Sequence, residues 1–487
     1  MNSMRIPQKL ILLLMSFLLL SGCTAQTKPA VSPDPPPGPI AAPAEPLTWD
    51  DVGMEGDALF PVKKDGLWGF INKDSQIVIP LQFEEVQAFS QGFAAVRQGE
   101  HWGFVDRTGD MVIAPAWQAV KPFRDQRAAV QGDDGQWGYI DTAGELVIPY
   151  QFDIARNFRD QVAIVTADDQ YGLIDQDGTF LIDCCWTTIS LANPRGFFTA
   201  VNHDGYQLFS AQGQPVLDHP AQHAFMISDT LYAMQRNGRY TLCRAADQQP
   251  ITEKTWPVLR PVSEHNVIAK VSGGYQLLTL DETQITHTSD TWDNIHFSNI
   301  YGTPEFFSVD RAGRYGVIDR LGQVVVSPQW NETSSMHNGL ALVEKDHLTG
   351  VISLADAHLV LEPSSPHVQI LPNSYIVYRN NERDGSYGIM AADGTVIWPP
   401  QWSTISAIGM NTFVVCTKTD EPRYGVVDAQ RNVIIEPQWS EISHCYSFTD
   451  EGQTYQYVFA LKDGQYSLLF VEEGEPPAGF YVPAEDI

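Results

Sequence analysis

The chain has 487 residues, with 30 basic and 59 acidic side chains and a formal charge of −29. That balance excludes the broad basic face that nucleic acid or anionic lipid requires. No Gly-x-x-x-x-Gly-Lys loop, Gly-x-Ser-x-Gly elbow, His-Glu-x-x-His pair or zinc-like Cys/His spacing occurs, so the chemistries those motifs carry are not announced.

Arg5 and Lys9 precede Leu10 to Leu20 (LILLLMSFLLL), an apolar run of 11 residues. It is too short to span a bilayer and fits the core of a secretory signal. It ends in Leu20-Ser21-Gly22-Cys23, which resembles the bacterial lipobox. Residues 1–22 are therefore expected to be a signal peptide and Cys23 the lipidated first residue of the mature chain. Residues 23–46, rich in Pro and Ala, cannot bury a core and read as a stiff tether. Removing residues 1–22, which hold Arg5, Lys9 and no acid, leaves 28 basic and 59 acidic residues, a charge of −31. The expected location is the bacterial cell envelope, outside the cytoplasm, with membrane contact through the lipid alone. Five cysteines remain besides Cys23: Cys184, Cys185, Cys243, Cys416 and Cys445. An odd number does not make a full disulfide framework, and their pairing stays open.

From residue 47 to 487 one unit recurs about every 35 residues. An aromatic-Gly step marks it at Trp68-Gly69, Trp102-Gly103, Trp137-Gly138, Tyr171-Gly172, Tyr315-Gly316, Tyr387-Gly388 and Tyr424-Gly425. Looser copies at Tyr206, Tyr240, Tyr275, Thr349-Gly350 and Tyr466 bring the total to twelve. Within Gly92 to Gln126, Phe93 to Val96 and Trp102 to Val105 read as strands, Asp106-Arg107-Thr108-Gly109 as an Asp-capped turn, and Met111 to Ile113 as a third strand. Trp117 to Val120 reads as a fourth, short one. A Pro follows the third strand (Pro80, Pro115, Pro149, Pro328, Pro399, Pro437) and marks a strand end or an edge.

A second aromatic keeps the same period at Phe83, Trp117, Phe152, Trp186, Trp256, Trp292, Trp330, Trp402 and Trp439, often opening an aromatic-x-x-aliphatic step. Of the 12 Trp, only Trp49 and Trp398 fall outside the two repeat positions. Periodic Trp packs one sheet on the next, and its loss is expected to cost about 3–5 kcal/mol at Trp102 or Trp137 and much less at Trp49.

Gly66-Leu67-Trp68-Gly69-Phe70-Ile71, then Val78-Ile79-Pro80, Phe83 and Phe89-Ser90-Gln91-Gly92-Phe93-Ala94-Ala95-Val96, closely resemble the bacterial WG repeat. The likeness is specific in units one to four, fair in units eight, ten and eleven, and poor between about 196 and 300. It implies surface or envelope proteins without an assigned activity.

Three or four short antiparallel strands per unit predict an all-β, β-propeller-like fold, closed as one large ring or two six-unit rings. The 40-residue step from Tyr275 to Tyr315 places a possible seam near 280–300. An open β solenoid is the alternative. The last unit lacks a recognisable strand after Leu468-Leu469-Phe470, and residues 47–54 are the nearest segment to cover that edge.

No catalytic or metal residue and no cofactor is assigned. His219 and His223 have helical spacing but flank Pro220 outside any helical pattern, and Asp175-Gln176-Asp177-Gly178 lacks the distal Glu of a calcium loop. With 59 acidic residues spread over twelve units, some pair will face a groove by chance. The expected function is an envelope-anchored, non-enzymatic repeat scaffold that binds a protein or a glycan and no nucleic acid. The alternative is a propeller enzyme acting on glycans, sited where the repeat breaks down, in 196–300 or in the inserts at 296–306, 379–386 and 417–423. Metabolic labelling with an alkyne fatty acid should tag the wild type and not Cys23→Ser; equal labelling of both would reject lipidation at Cys23.

Overall fold

The computed structural model describes residues 48–54, 56–192, 196–297, 304–365, 367–379, 385–443, 446–450 and 452–473. All lie in the second of the chain's two units, Pro46–Ile487. The expectations for residues 1–46, for Cys445 and for most of the inserts at 296–306 and 379–386 fall outside the described residues. No helix occurs among those described, and the strands form twelve small antiparallel sheets.

Unit two gives the pattern. Its sheet runs Glu85–Val86, Phe93–Gln98, His101–Asp106, Met111–Trp117, in that spatial order. Trp117 thus ends the fourth strand, and Ala119–Val120 already pairs with the next sheet, against Val130 and Gln131. The short strand expected at Trp117 to Val120 is therefore split between two sheets. One bent segment serves both, the usual way for a strand to turn a corner.

A bulge makes the bend. Trp102 pairs with Trp117 and Phe104 with Ile113, so two residues of the third strand face four of the fourth. The extra residues carry Pro115, which needs no ladder partner. Its unpaired edge also discourages pairing with another chain. Gly103 sits beneath this bulge, where a Cβ would lie 2.6 Å from the carbonyl oxygen of Ile113. The same collision would meet a Cβ at Gly69 (2.5 Å from Ile79), Gly138 (2.5 Å from Ile148), Gly316 (2.4 Å from Val326) and Gly425 (2.6 Å from Ile435). The glycine follows the aromatic because backbone, not a side chain, fills that space.

The turn aspartates cap their own loops. Asp106 Oδ1 accepts from Thr108 N (2.9 Å) and Asp110 N (3.1 Å). Asp141, Asp175, Asp319 and Asp428 repeat the geometry. These turns lie at one rim of each sheet, and the hairpins between second and third strands lie at the other. On the turn rim, Asp57 Oδ2 accepts from Gly92 N (2.6 Å) and Asp125 Oδ2 from Gln161 N (2.7 Å), tying unit one to unit two and unit three to unit four.

The core is a set of apolar clusters, each shared by two consecutive sheets. One joins Phe70, Ile79 and Phe83 to Ala94, Val96 and Val105. Another joins Ile268, Leu277 and Trp292 to Ile295, Phe307 and Ile318, so packing is continuous across 280–300. A third joins the last sheet to the first: Phe448, Tyr457, Phe459 and Leu468 pack on Phe60, Val62 and Ile71. The fold is one closed, propeller-like ring, not two rings and not an open solenoid.

Closure corrects the reading of Trp49. In most units the first aromatic pairs with the second: Trp68 with Phe83, Tyr171 with Trp186, Tyr315 with Trp330, Tyr424 with Trp439. In unit twelve Tyr466 pairs with Trp49, by hydrogen bonds of 2.9 and 2.8 Å between their backbones. Asp51–Val52 then starts the first sheet beside Val62 and Lys63. Trp49 is only 5% exposed and belongs to the closing cluster. It is the second aromatic of the twelfth unit, supplied from the opposite end of the chain, so its truncation is expensive rather than cheap. Trp49→Ala should lose about 3–5 kcal/mol in denaturant melts. A loss below about 1 kcal/mol would show that the ring does not depend on this contact.

Candidate functional site: the hairpin rim

The two periodic aromatics differ in exposure. The second is buried in most units, as at Phe83 (2% exposed), Phe152 (0%) and Trp292 (1%). The first, at Trp68, Trp102, Trp137, Tyr171, Tyr206, Tyr240, Tyr275, Tyr315, Tyr387, Tyr424 and Tyr466, stands half-buried, next to the hairpin rim. The chain thus sets a row of partly exposed rings along one rim. Their partner glycines, Gly69, Gly103, Gly138, Gly172, Gly316, Gly388 and Gly425, all lie under bulges.

Cations cover several of these rings. Lys63 Nζ lies 5.6 Å from the Trp68 ring, Lys121 Nζ 6.0 Å from Trp137, and the Arg379 guanidinium 5.9 Å from Tyr387. Tyr275 has two, Arg260 at 5.4 Å and Lys270 at 5.7 Å. Such contacts hold long side chains flat on an aromatic face.

The residue after the second aromatic has a role that the repeat reading missed. Asp50 Oδ2 accepts from Asp65 N (2.7 Å), Gln222 Oε1 from Gly238 N (2.8 Å), Asp293 Oδ2 from Ala312 N (2.7 Å) and Asn331 Oδ1 from Asp346 N (3.1 Å). Each caps the hairpin of the sheet it leads into. The signal was a recurrent Asp, Glu, Asn or Gln at that position, and part of the acidity is explained by it.

The irregular units keep the pairing and lose the glycine. In unit five Gln207 replaces it and is 6% exposed. Its Nε2 donates to Leu217 O (3.0 Å) and its Oε1 accepts from Leu217 N (3.2 Å), so an amide replaces direct backbone contact. The fourth strand is correspondingly reduced to isolated bridges, Tyr206 to Ala221 and Phe209 to Pro215. Between units five and six, His223 lies against Tyr206 (4.6 Å between centroids), Phe225 (5.7 Å) and Tyr240 (5.9 Å), and its Nδ1 is 3.1 Å from the Tyr240 hydroxyl. Burial holds its pKa below the ordinary histidine value and keeps the ring neutral. His219 does not share this cluster.

Among the described residues no group of three His, Cys, Asp or Glu could hold a metal ion. A pocket of about 240 Å³ on the turn rim is lined by Ala58, Leu59, Asn72, Lys73, Val78, Arg107 and Asp450. Its carboxylate, Asp450, is tied to Lys73 at 3.3 Å. Hydrolysis of a glycoside by paired carboxylates needs two facing each other, and this pocket offers one, already neutralised. Cys184, Cys185, Cys243 and Cys416 are free thiols. Burial raises the pKa of the first three, away from the reactive thiolate.

The model of the WG containing repeat matches residues 68–100, 102–135, 137–170, 315–347 and 424–466. The chain carries WG repeats. Each match starts at the first aromatic of a unit, and none falls in the irregular units between 196 and 300. No curated protein matches the chain. Among solved structures, a eukaryotic initiation factor is 12% identical, with 64% of this chain and 96% of that one covered at a TM-score of 0.33. BamB from Moraxella catarrhalis is 10% identical over 58% and 95% (TM-score 0.24). PorZ, a surface component of the type-IX secretion system of Porphyromonas gingivalis, is 10% identical over 87% and 74% (TM-score 0.23). All three superpose loosely.

The neutral state of His223 is testable by NMR. Its imidazole should titrate below the ordinary value of 6.5. Because the folded pKa is the lower one, the unfolded chain binds the extra proton first. The stabilising contribution is present above the unfolded value and lost as pH falls through the folded one. A midpoint at or above 6.5 would contradict a buried imidazole.

Proposed function

We propose that this protein is a non-enzymatic binding scaffold, lipid-anchored at Cys23 in the bacterial cell envelope, whose hairpin rim receives a protein or glycan partner. The observation that carries the reading is the row of half-exposed first aromatics on that rim, set among exposed acids. Half-exposed Tyr and Trp give large contact area at low entropic cost, and repeat folds use such extended surfaces for recognition.

The start of the described chain is fixed to the same rim. The described residues begin at Thr48, whose hydroxyl donates to Gln465 Oε1 (2.7 Å) and whose carbonyl accepts from Lys64 Nζ (3.2 Å). Both partners belong to hairpins of that rim.

The acids give the association an ionic component. A mature charge of −31 attracts cationic partners, and salt screens exposed charges beyond about 8 Å at physiological ionic strength. Pull-down from envelope extract with the full mature chain, at low and high salt, should recover a partner at low salt and lose most of it at high salt. Partners that persist unchanged would reject an electrostatic face. Turnover of a glycan panel abolished by one carboxylate substitution would replace the scaffold by an enzyme.

A further inference from the structure

Units five and six carry two neighbouring rim rings, Tyr206 and Tyr240, over which no cation lies among the described residues. At the third residue of the short segment that opens each sheet, Lys121 and Arg260 lie over the first aromatics Trp137 and Tyr275. In unit six that place is taken by Phe225, whose ring lies 6.0 Å from Tyr240. Two residues earlier on the same strand, His223–Met226, stands His223, on the same face. It closes the gap to Tyr206 of the preceding unit. The cross-strand partners of Tyr206 and Tyr240 are Val201 and Gln235, not Lys or Arg.

Four half-exposed rings from two adjacent sheets thus form one strip: Tyr206, His223, Phe225 and Tyr240. The Tyr206 hydroxyl and His223 Nε2 make no hydrogen bond to the described residues, while Nδ1 is engaged by Tyr240. An uncharged aromatic strip, with polar atoms at its margin that no described residue engages, thus lies on a rim whose rings at Trp68, Trp137, Tyr275 and Tyr387 carry cations.

We infer that this strip is a carbohydrate subsite, on which a pyranose ring of a glycan chain stacks its C–H face while its hydroxyls meet Tyr206 and His223. It rests on the scaffold reading and names the partner class at one place on the rim. The chemistry matches on both counts. A pyranose offers a flat apolar face and a hydroxylated edge, and Tyr and His offer an apolar body with a polar tip. The close ring spacing argues against an ammonium ligand. A cage needs rings that stand apart around the cation, and these touch one another. The charge of the chain argues against stacked nucleic-acid bases.

The test is titration of the full mature chain with cellohexaose, chitohexaose and a soluble peptidoglycan digest, followed by saturation-transfer NMR and calorimetry. At least one probe should bind. Tyr206→Ala and Tyr240→Ala should each weaken it at least tenfold. Tyr206→Phe, which keeps the ring and removes the hydroxyl, should weaken it less, and it serves where the alanine variant fails to fold. Phe180→Ala, an exposed ring on the fourth strand of unit four, should bind like the wild type. No binding of any probe at millimolar concentration, or equal binding by the tyrosine variants, overturns the subsite. If envelope pull-down still recovers a salt-sensitive protein partner, the subsite falls while the scaffold stands; if neither is found, both fall.

Discussion

The ring depends on one contact: the backbone of a bulged fourth strand lying directly on the glycine that follows the first aromatic. With 2.4–2.6 Å between a notional Cβ and the facing carbonyl at Gly69, Gly103, Gly138, Gly316 and Gly425, no other residue fits without displacing the bulge. The bulge bends the strand out of its sheet. The bend carries the second aromatic into the core between sheets, and the next residue caps the following hairpin. Burial, connection and capping all follow from one close approach, repeated around the ring. Where the glycine is missing, at Gln207, the strand retreats and a side-chain amide bridges the space.

Closure uses the same pairing, assembled from distant parts of the sequence. Trp49 meets Tyr466 as Phe83 meets Trp68, and Asp50 caps the hairpin at Asp65 as Asp293 caps the one at Ala312. A repeat array whose last unit borrows a piece from its start has no free sheet edge at the junction. It also couples the ends, so the stability of the ring and the integrity of the segment after the tether are one property. Replacing the Trp49 ring removes packing from both the first and last sheets.

Much of this was legible. Periodic aromatic-Gly steps, Asp-x-x-Gly turns and short apolar runs specify strand, turn and unit length locally, and the twelve sheets follow. Trp49 stands apart from the period in the chain because the rest of its unit lies at the other end of the sequence. Yet Trp49-Asp50-Asp51-Val52 is the same aromatic-x-x-aliphatic step as Trp439-Ser440-Glu441-Ile442, and could have been recognised as half of a unit. Ring number was not legible, because a local unit does not encode the small rotation between neighbours that decides when a ring closes. The aromatic strip of units five and six was hidden for a related reason. His223 and Phe225 pack on Tyr240 across their own sheet, and His223 reaches Tyr206 of the preceding one, a contact between sheets that no local pattern announces.

Closure is the claim on which the rest stands, and photo-crosslinking tests it directly. With p-benzoylphenylalanine at position 49 of the full chain, irradiation followed by peptide mapping should give intramolecular adducts within 446–470. Adducts confined to neighbouring residues of the first sheet, or formed only between molecules, would mean that the ring is not closed by its N-terminal segment.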